Sequence, residues 1–295
     1  MSQFDGHYYS VPINIHRTNV VWYNKALLDK NGINTSNLTT WDSFFAACDK
    51  LRANGVEYPI QMGPAWTSQH VFDQIIASIG IDFYEDWING KVTSPNDPRL
   101  LKAFEIFKKY ISYVNPDNAN LTWDEATARI ISGNGAFNIM GDWANGEFKA
   151  AGMEYNKDYG TFMVPGTRKM YGIVIDAFQS PKYIKHPANA EEWLKFIASK
   201  EGQDTFNPLK GSISVRRDTD IMKYDLYQKS AIFDFIIIKH MFPAISNAMP
   251  KAFEQKEQEI ITQFLKDLDT NKAAEDMTDY IKKTAKDYTI IWELD

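Results

Sequence analysis

Alternating and helical hydrophobic patterns follow one another along the chain. Val11 to Tyr23 is dense in β-branched and aromatic residues and predicts extended structure. Lys25 to about Gly32 predicts a short helix. Thr40 before Trp41-Asp42-Ser43 supplies an N-cap for a second, in which Phe44, Phe45, Cys48 and Leu51 recur at helical spacing until Gly55. Pro98 opens a third, with an expected stripe of Leu101, Phe104, Phe107, Lys108 and Ile111. Thr122-Trp123-Asp124-Glu125 has the form of a capping box, so Trp123 falls on the first turn of a helix ending at Gly133.

A strand over Ala136–Met140 comes next, with Trp143 just past its carboxyl end. Tyr159–Val164 and Gly172–Phe178 predict two more strands, and Asn189–Ser199 a helix carrying Trp193, Phe196 and Ile197. Beyond Val215 the pattern is mainly helical: Phe253, Ile260, Ile261, Phe264, Leu265 and Leu268 mark one amphipathic helix, and Met277, Tyr280, Ile281 and Tyr288 the last. No internal repeat or low-complexity linker interrupts this alternation, which argues for an α/β architecture.

Length and composition narrow the function. A chain of 295 residues can form one large or two ordinary domains. The net charge of −6 is spread without a basic block, which excludes phosphate backbones and anionic lipid as natural partners. The single cysteine, Cys48, sits on a helical apolar stripe and has no partner in the chain for a disulfide. The five histidines are scattered without metal-ligand spacing, so neither a metal nor another cofactor is expected. The first residues have neither the basic leader nor the apolar core of a signal peptide, and no later run reaches membrane-spanning length.

Eight tryptophans, fifteen tyrosines and eighteen phenylalanines leave ring surface to spare for a site. Indoles at element ends suit the apolar face of a sugar ring, whose hydroxyls then need carboxylates, amides and ammonium groups around the rim. Trp123 and Trp143 are placed for that role, although each also reads as a half-buried structural ring. Asp142 reads equally as a cap for the helix that follows it. Asp176 ends the apolar run Gly172–Ile175, where a carboxylate needs a partner or a ligand hydroxyl. Lys210, between Pro208 and Gly211, reads as a loop lysine. A glycosidase acid pair drawn from Asp142, Glu147 and Asp176 has no distinguishing spacing.

Three stretches together resemble the extracellular sugar-binding proteins of ABC transporters, the glucose-binding subgroup most closely. They are Tyr8–Asn24, Leu121–Gly146 and Phe206–Ile213. The resemblance implies a non-catalytic binding protein with the type II periplasmic-binding-protein fold, two α/β lobes that close over a monosaccharide in their cleft. It implies that Trp123 and Trp143 stack on the sugar, that Asp176 accepts from its hydroxyls and that Lys210 donates. Asp142 and His16, the latter near the first crossing between lobes, join the expected set. Where glucose-binding relatives carry a histidine before a late Pro-x-Ala-Phe segment, this chain has Asn247 before Pro250-Lys251-Ala252-Phe253. It further implies a periplasmic or extracellular location and an ABC permease as partner.

Relatives begin with a long βα segment that this chain lacks. The expected organisation is therefore a nearly complete C-terminal lobe over 1–171 and 216–295, with 172–215 as a remnant of the N-terminal lobe and its hinge crossings. The strand around Val174 and the helix around Trp193 are expected to lack neighbours, leaving unpaired backbone and apolar surface that self-association would cover.

Overall fold

The computed structural model describes residues 3–284, a mixed α/β fold; Tyr288 lies outside the described residues. A hairpin of β1 (Gln3–Phe4) and β2 (His7–Tyr8) precedes β3 (Val11–Pro12), β4 (His16–Arg17) and β5 (Val20–Asn24). Helices α1 (Lys25–Lys30), α2 (Trp41–Ala53), α3 (Ala65–Ile79), α4 (Ile81–Ile88), α5 (Pro98–Ile111) and α6 (Trp123–Ile131) lead to β6 (Phe137–Ile139). Next come α7 (Asn145–Ala150), β7 (Tyr159–Met163), β8 (Met170–Val174), β9 (Ala177–Phe178), α8 (Pro187–Ala198) and α9 (Lys200–Lys210). The described chain closes with α10 (Leu226–Ile237), β10 (His240–Pro243), α11 (Ile245–Ala248), α12 (Lys251–Asp267) and α13 (Thr270–Thr284).

Caps and stripes explain the first helices. Thr40 and Ser43 form the capping box of α2, which buries Trp41, Phe44, Phe45, Cys48 and Leu51 and stops before Gly55 at φ +91°. Pro98 takes the first turn of α5, as expected, and Asp97 caps it, but the buried residues are Leu100, Ala103, Phe104, Ile106, Phe107 and Tyr110. Turning the helix this way trades Leu101 for the larger Tyr110 ring and puts Lys108 outside, where its ammonium donates to the Leu268 carbonyl at 2.9 Å.

The main core lies between the antiparallel sheet β6-β5-β7 and helices α2, α3, α5, α12 and α13. Phe44, Phe72, Phe104, Phe107, Phe137 and Phe264 are fully enclosed there, each contributing on the order of 1.5–3 kcal/mol of apolar burial. A second cluster forms around Trp22, which stacks on Phe148 and Tyr159, meets Tyr227 at 4.9 Å, and donates its indole N–H to the Met140 carbonyl.

A second sheet, β10-β8-β4, has β8 in the middle, parallel to β10 and antiparallel to β4. The strand at Val174 thus has two neighbours, contrary to the expectation that it would be left unpaired. β10, which the sequence pattern did not predict, supplies one of them. The expected single strand Gly172–Phe178 is instead broken after Val174, and β9 pairs with β3. Ile15 bridges Ile213 through bonds of 2.8 and 3.0 Å, so three segments, near residues 11–16, 173–178 and 212–215, lie side by side. Trp193 on α8 is half exposed at 51%, and Phe178, Phe196 and Leu209 share its open face.

Candidate functional site

Two of these segments and the turn after β6 bring one histidine and two carboxylates into line. His16 is placed by its register opposite Val174, and Asp142 by the tight turn that Gly141 opens after β6. The Asp142 carboxylate is fully buried; one oxygen is hydrogen-bonded to His16 Nδ1 and the other accepts from the Arg17 N–H at 2.9 Å. It does not cap the following helix, the alternative that its position in the sequence had offered. On the opposite side of the imidazole, Nε2 lies 3.5 Å from Asp176 Oδ2 and is buried without a hydrogen-bond partner.

Asp176 stands half exposed in the break between β8 and β9, not at the end of a buried strand. Asn14 fixes it reciprocally, donating to Asp176 Oδ2 at 2.8 Å and accepting the Asp176 N–H at 2.9 Å. The neighbouring His16 imidazole holds its carboxyl down at about 2; burial opposes the shift, while Asn14 and the charge of Lys210 add to it. For His16, burial disfavours the imidazolium, yet Asp142 and then Asp176 outweigh burial and raise its pKa above the ordinary value. Burial raises Asp142 against the pull of His16 and Arg17. Both of these shifts favour a proton on the His16–Asp142 bond.

An aromatic wall adjoins this line. Trp143 meets the His16 ring edge-on at 5.4 Å and 84°. Its indole folds back over Gly141, where an added Cβ would lie 2.2 Å from the ring, so only glycine fits. Trp66 lies 6.4 Å from Trp143 and His70 lies 6.0 Å away. Burial lowers the His70 pKa to about 4, so this ring is a neutral part of the wall. Trp123 sits half-buried at the first position of α6, whose capping box forms as predicted. The starts of α3 and α6 touch: a Cβ on Gly63 would come within 3.1 Å of the Trp123 backbone.

Lys210 is the exposed last residue of α9, not a loop lysine; the helix runs on through Pro208 and ends at left-handed Gly211. Gly211 packs on the Asp142 carbonyl, where a Cβ would approach to 2.9 Å, and this contact ties Lys210 to the site. Asn247 is exposed and uses its Oδ1 to accept from the Ile175 N–H at 3.2 Å, one residue from Asp176. The fold thus gathers His16, Asp142, Trp143, Asp176 and Lys210, with Trp123 and Asn247 on the flanks. Asn14, Trp66 and His70 were missed. Pro64 just before the helical stretch Ala65–Ile79 was the available signal for a helix start near Trp66.

No trio of His, Cys, Asp or Glu among the described residues is grouped to hold a metal ion. Cys48 is buried in the core, and burial pushes its thiol far up. Residues 2–204 match the family of bacterial extracellular solute-binding proteins. This chain belongs to that family. Its members bind solutes and do not transform them.

Among relatives of this solute-binding protein is an uncharacterized ABC transporter extracellular-binding protein of Pyrococcus horikoshii, 44% identical over 95% of this chain and 64% of that one. A xylose/arabinose-binding protein of Haloferax volcanii is 29% identical over 82% of this chain and 51% of its own length. The chain therefore spans roughly half to two thirds of these relatives. A solved bacterial solute receptor described as preferring β-D-galactopyranose shares the fold, with a TM-score of 0.83 at 19% identity, over 96% of this chain and 74% of that one. No helix among the described residues is long and apolar enough to cross a membrane.

Proposed function

We propose that this chain recognises a monosaccharide, glucose or a close relative, as the substrate-binding component of an ABC sugar importer in the periplasm or outside the cell, handing the sugar to a membrane permease. The observation that carries the reading is the buried, unpartnered His16 Nε2 beside the half-exposed Asp176 carboxylate and the Trp143 ring. A buried polar atom without a partner is costly unless a ligand satisfies it. A sugar hydroxyl can meet His16 and Asp176 together while its ring packs on Trp143, with Trp123 as a second apolar face. Asp142 orients His16. Lys210 donates to a further hydroxyl, and the free amide N–H group of Asn247 takes the place of a histidine donor. Charge-assisted bonds of this kind are the stronger ones. The name of the xylose/arabinose-binding relative supports a single-ring ligand.

In this reading, residues 1–171 and 216–295 form one lobe and 172–215 belong to a second. Calorimetric titration with glucose, xylose, galactose and a set of disaccharides tests it. Saturable binding to a monosaccharide, weakened at least tenfold by Trp143→Ala and by Asp176→Asn, is the expected result. Silence toward every sugar refutes it.

A second reading rests on the open face of Phe178, Trp193, Phe196 and Leu209, which lines a hollow of about 480 Å³. Here residues 172–215 serve as a self-association surface, and the chain forms a homo-oligomer whether or not it retains sugar. Sedimentation of the wild type against a Trp193→Ser/Leu209→Ser variant decides it: a monomeric wild type rules this reading out.

A further inference from the structure

One face of helix α3 meets two neighbours, because positions 66, 69, 70 and 73 recur at helical spacing. On that face Trp66 and His70 lie against Trp143, and Gln69 and Asp73 are buried where α3 packs on α12. Gln69 Nε2 donates to Glu257 Oε2 at 2.7 Å and to the Glu254 carbonyl at 2.9 Å, which fixes Glu257 wholly inside the protein. One oxygen of each acid, Asp73 Oδ1 and Glu257 Oε1, is buried without a hydrogen-bond partner. Such an oxygen is tolerable on a neutral carboxyl and expensive on an ion.

Among the described residues, no positive charge acts on the pair. From α12, Glu254 adds its own negative charge while its carboxylate pairs with Lys251 at 2.7 Å. From α4, the Trp87 indole lies beside Glu257, and Tyr84 faces both acids with its hydroxyl donating to the Pro243 carbonyl at 2.6 Å. On α3 itself, His70 is neutral. Burial first, then the neighbouring acids, raise Asp73 well above its ordinary value; burial raises Glu257 to about 8.

We propose that Asp73 and Glu257 are positioning residues: buried together where Gln69 ties α3 to α12, they form a latch that holds the Trp66–His70 wall against Trp143, and negative charge on the pair loosens that contact. The latch rests on the proposed function only where sugar affinity is the readout. Its sign follows from linkage. Groups with folded pKa values above the unfolded ones stabilise fully below the unfolded carboxyl values, and that stabilisation is lost as pH rises through the folded values.

The test is denaturant unfolding of the full chain at pH steps from about 5 to 9, comparing wild type with Glu257→Gln and Asp73→Asn. For each proton held, the wild-type folding constant is expected to fall by up to about tenfold per pH unit between about pH 5 and 8. Glu257→Gln should lose one proton's share of that slope and overtake the wild type at pH 9. An undiminished slope in Glu257→Gln overturns the proposal. Where a single variant does not fold, the double Asp73→Asn/Glu257→Gln chain gives the same comparison, with an undiminished slope again overturning it.

Trp143 fluorescence, taken as wild type minus Trp143→Phe, reads the wall directly and should shift above pH 8 in the wild type but not in Glu257→Gln. A stability slope with no such shift overturns the positioning role. Failure of every sugar to bind would strike the proposed function and leave both readouts of the latch intact.

Discussion

Two parts of this molecule use the same amphipathic pattern with opposite results. In α5, Phe104 and Phe107 close against α3, α12 and α13 until no ring surface remains outside. In α8, Trp193 and Phe196 have the same helical spacing, yet only Ile197 is buried and the rings face outward at 51% and 44%. Capping differs too, since Asp97 caps α5 and no side chain caps α8, but a cap does not bury a ring. A stripe gains burial energy only when another element lies opposite it, and α8 has α9 and the short β3 for neighbours where α5 has a ring of helices. The site sits between these regimes: its buried side, His16 and Asp142, is built by the well-packed part, and its open side, Asp176 and Lys210, by the sparse one.

The largest expected effect separates the two directly. Phe104→Ala should cost about 3–5 kcal/mol through transfer and cavity terms, while Trp193→Ala should cost under about 1 kcal/mol, as fits a half-exposed ring. Urea unfolding of both variants checks this, and a comparable loss at Trp193 would break the contrast. Next in size is Asp142→Ala, which strips the buried His16 of its partner and should cost about 3 kcal/mol. The same change should abolish sugar binding, whereas Asp176→Asn, at the exposed end of the line, should weaken binding and leave the unfolding midpoint nearly unmoved.

Smaller effects sharpen the boundary. The raised pKa of His16 makes its contribution complete below about pH 6.5 and lost as pH climbs through the folded value. Unfolding of His16→Gln should therefore differ from wild type more at pH 6 than at pH 9, and an equal gap at both would deny the His16–Asp142 proton its role. Smallest of all, Lys195 reaches Glu191 and Glu192 on the exposed side of α8. Lys195→Ala should move stability by less than about 0.5 kcal/mol, measurable by urea unfolding and lost in 0.5 M salt.

Much of the local structure was legible because its causes are local. Thr40-Ser43 and Thr122-Glu125 close their capping boxes within four residues, Pro98 fixes its own φ, and Gly55 and Gly211 end helices by accepting positive φ. Trp123 and Trp143 could be placed at element ends for the same reason. What was misread depended on distant partners. Asp142 has the sequence context of a cap, and only the approach of β4, some 125 residues away in the chain, turns it into the buried partner of His16. Lys210 follows a proline that ordinarily breaks a helix, yet Asn207, held by the Ile13 and Gln203 carbonyls and by Gln228, keeps α9 intact around it.

By itself, then, the sequence determined many of the helices and strands, the α/β class, a charge distribution without a basic block, and ring and carboxylate residues of the kind that suits a sugar. Those follow from composition, periodicity and neighbours within a few positions. The tertiary structure alone decided that Asn14, His16, Asp142 and Asp176 stand in one line, that Trp66 and His70 back Trp143, that β8 lies between β4 and β10, and that Asp73 meets Glu257 and Glu254 of α12. Each of those contacts joins residues far apart in the chain, and loop closure over such distances is fixed by how whole elements pack, not by any pattern within them.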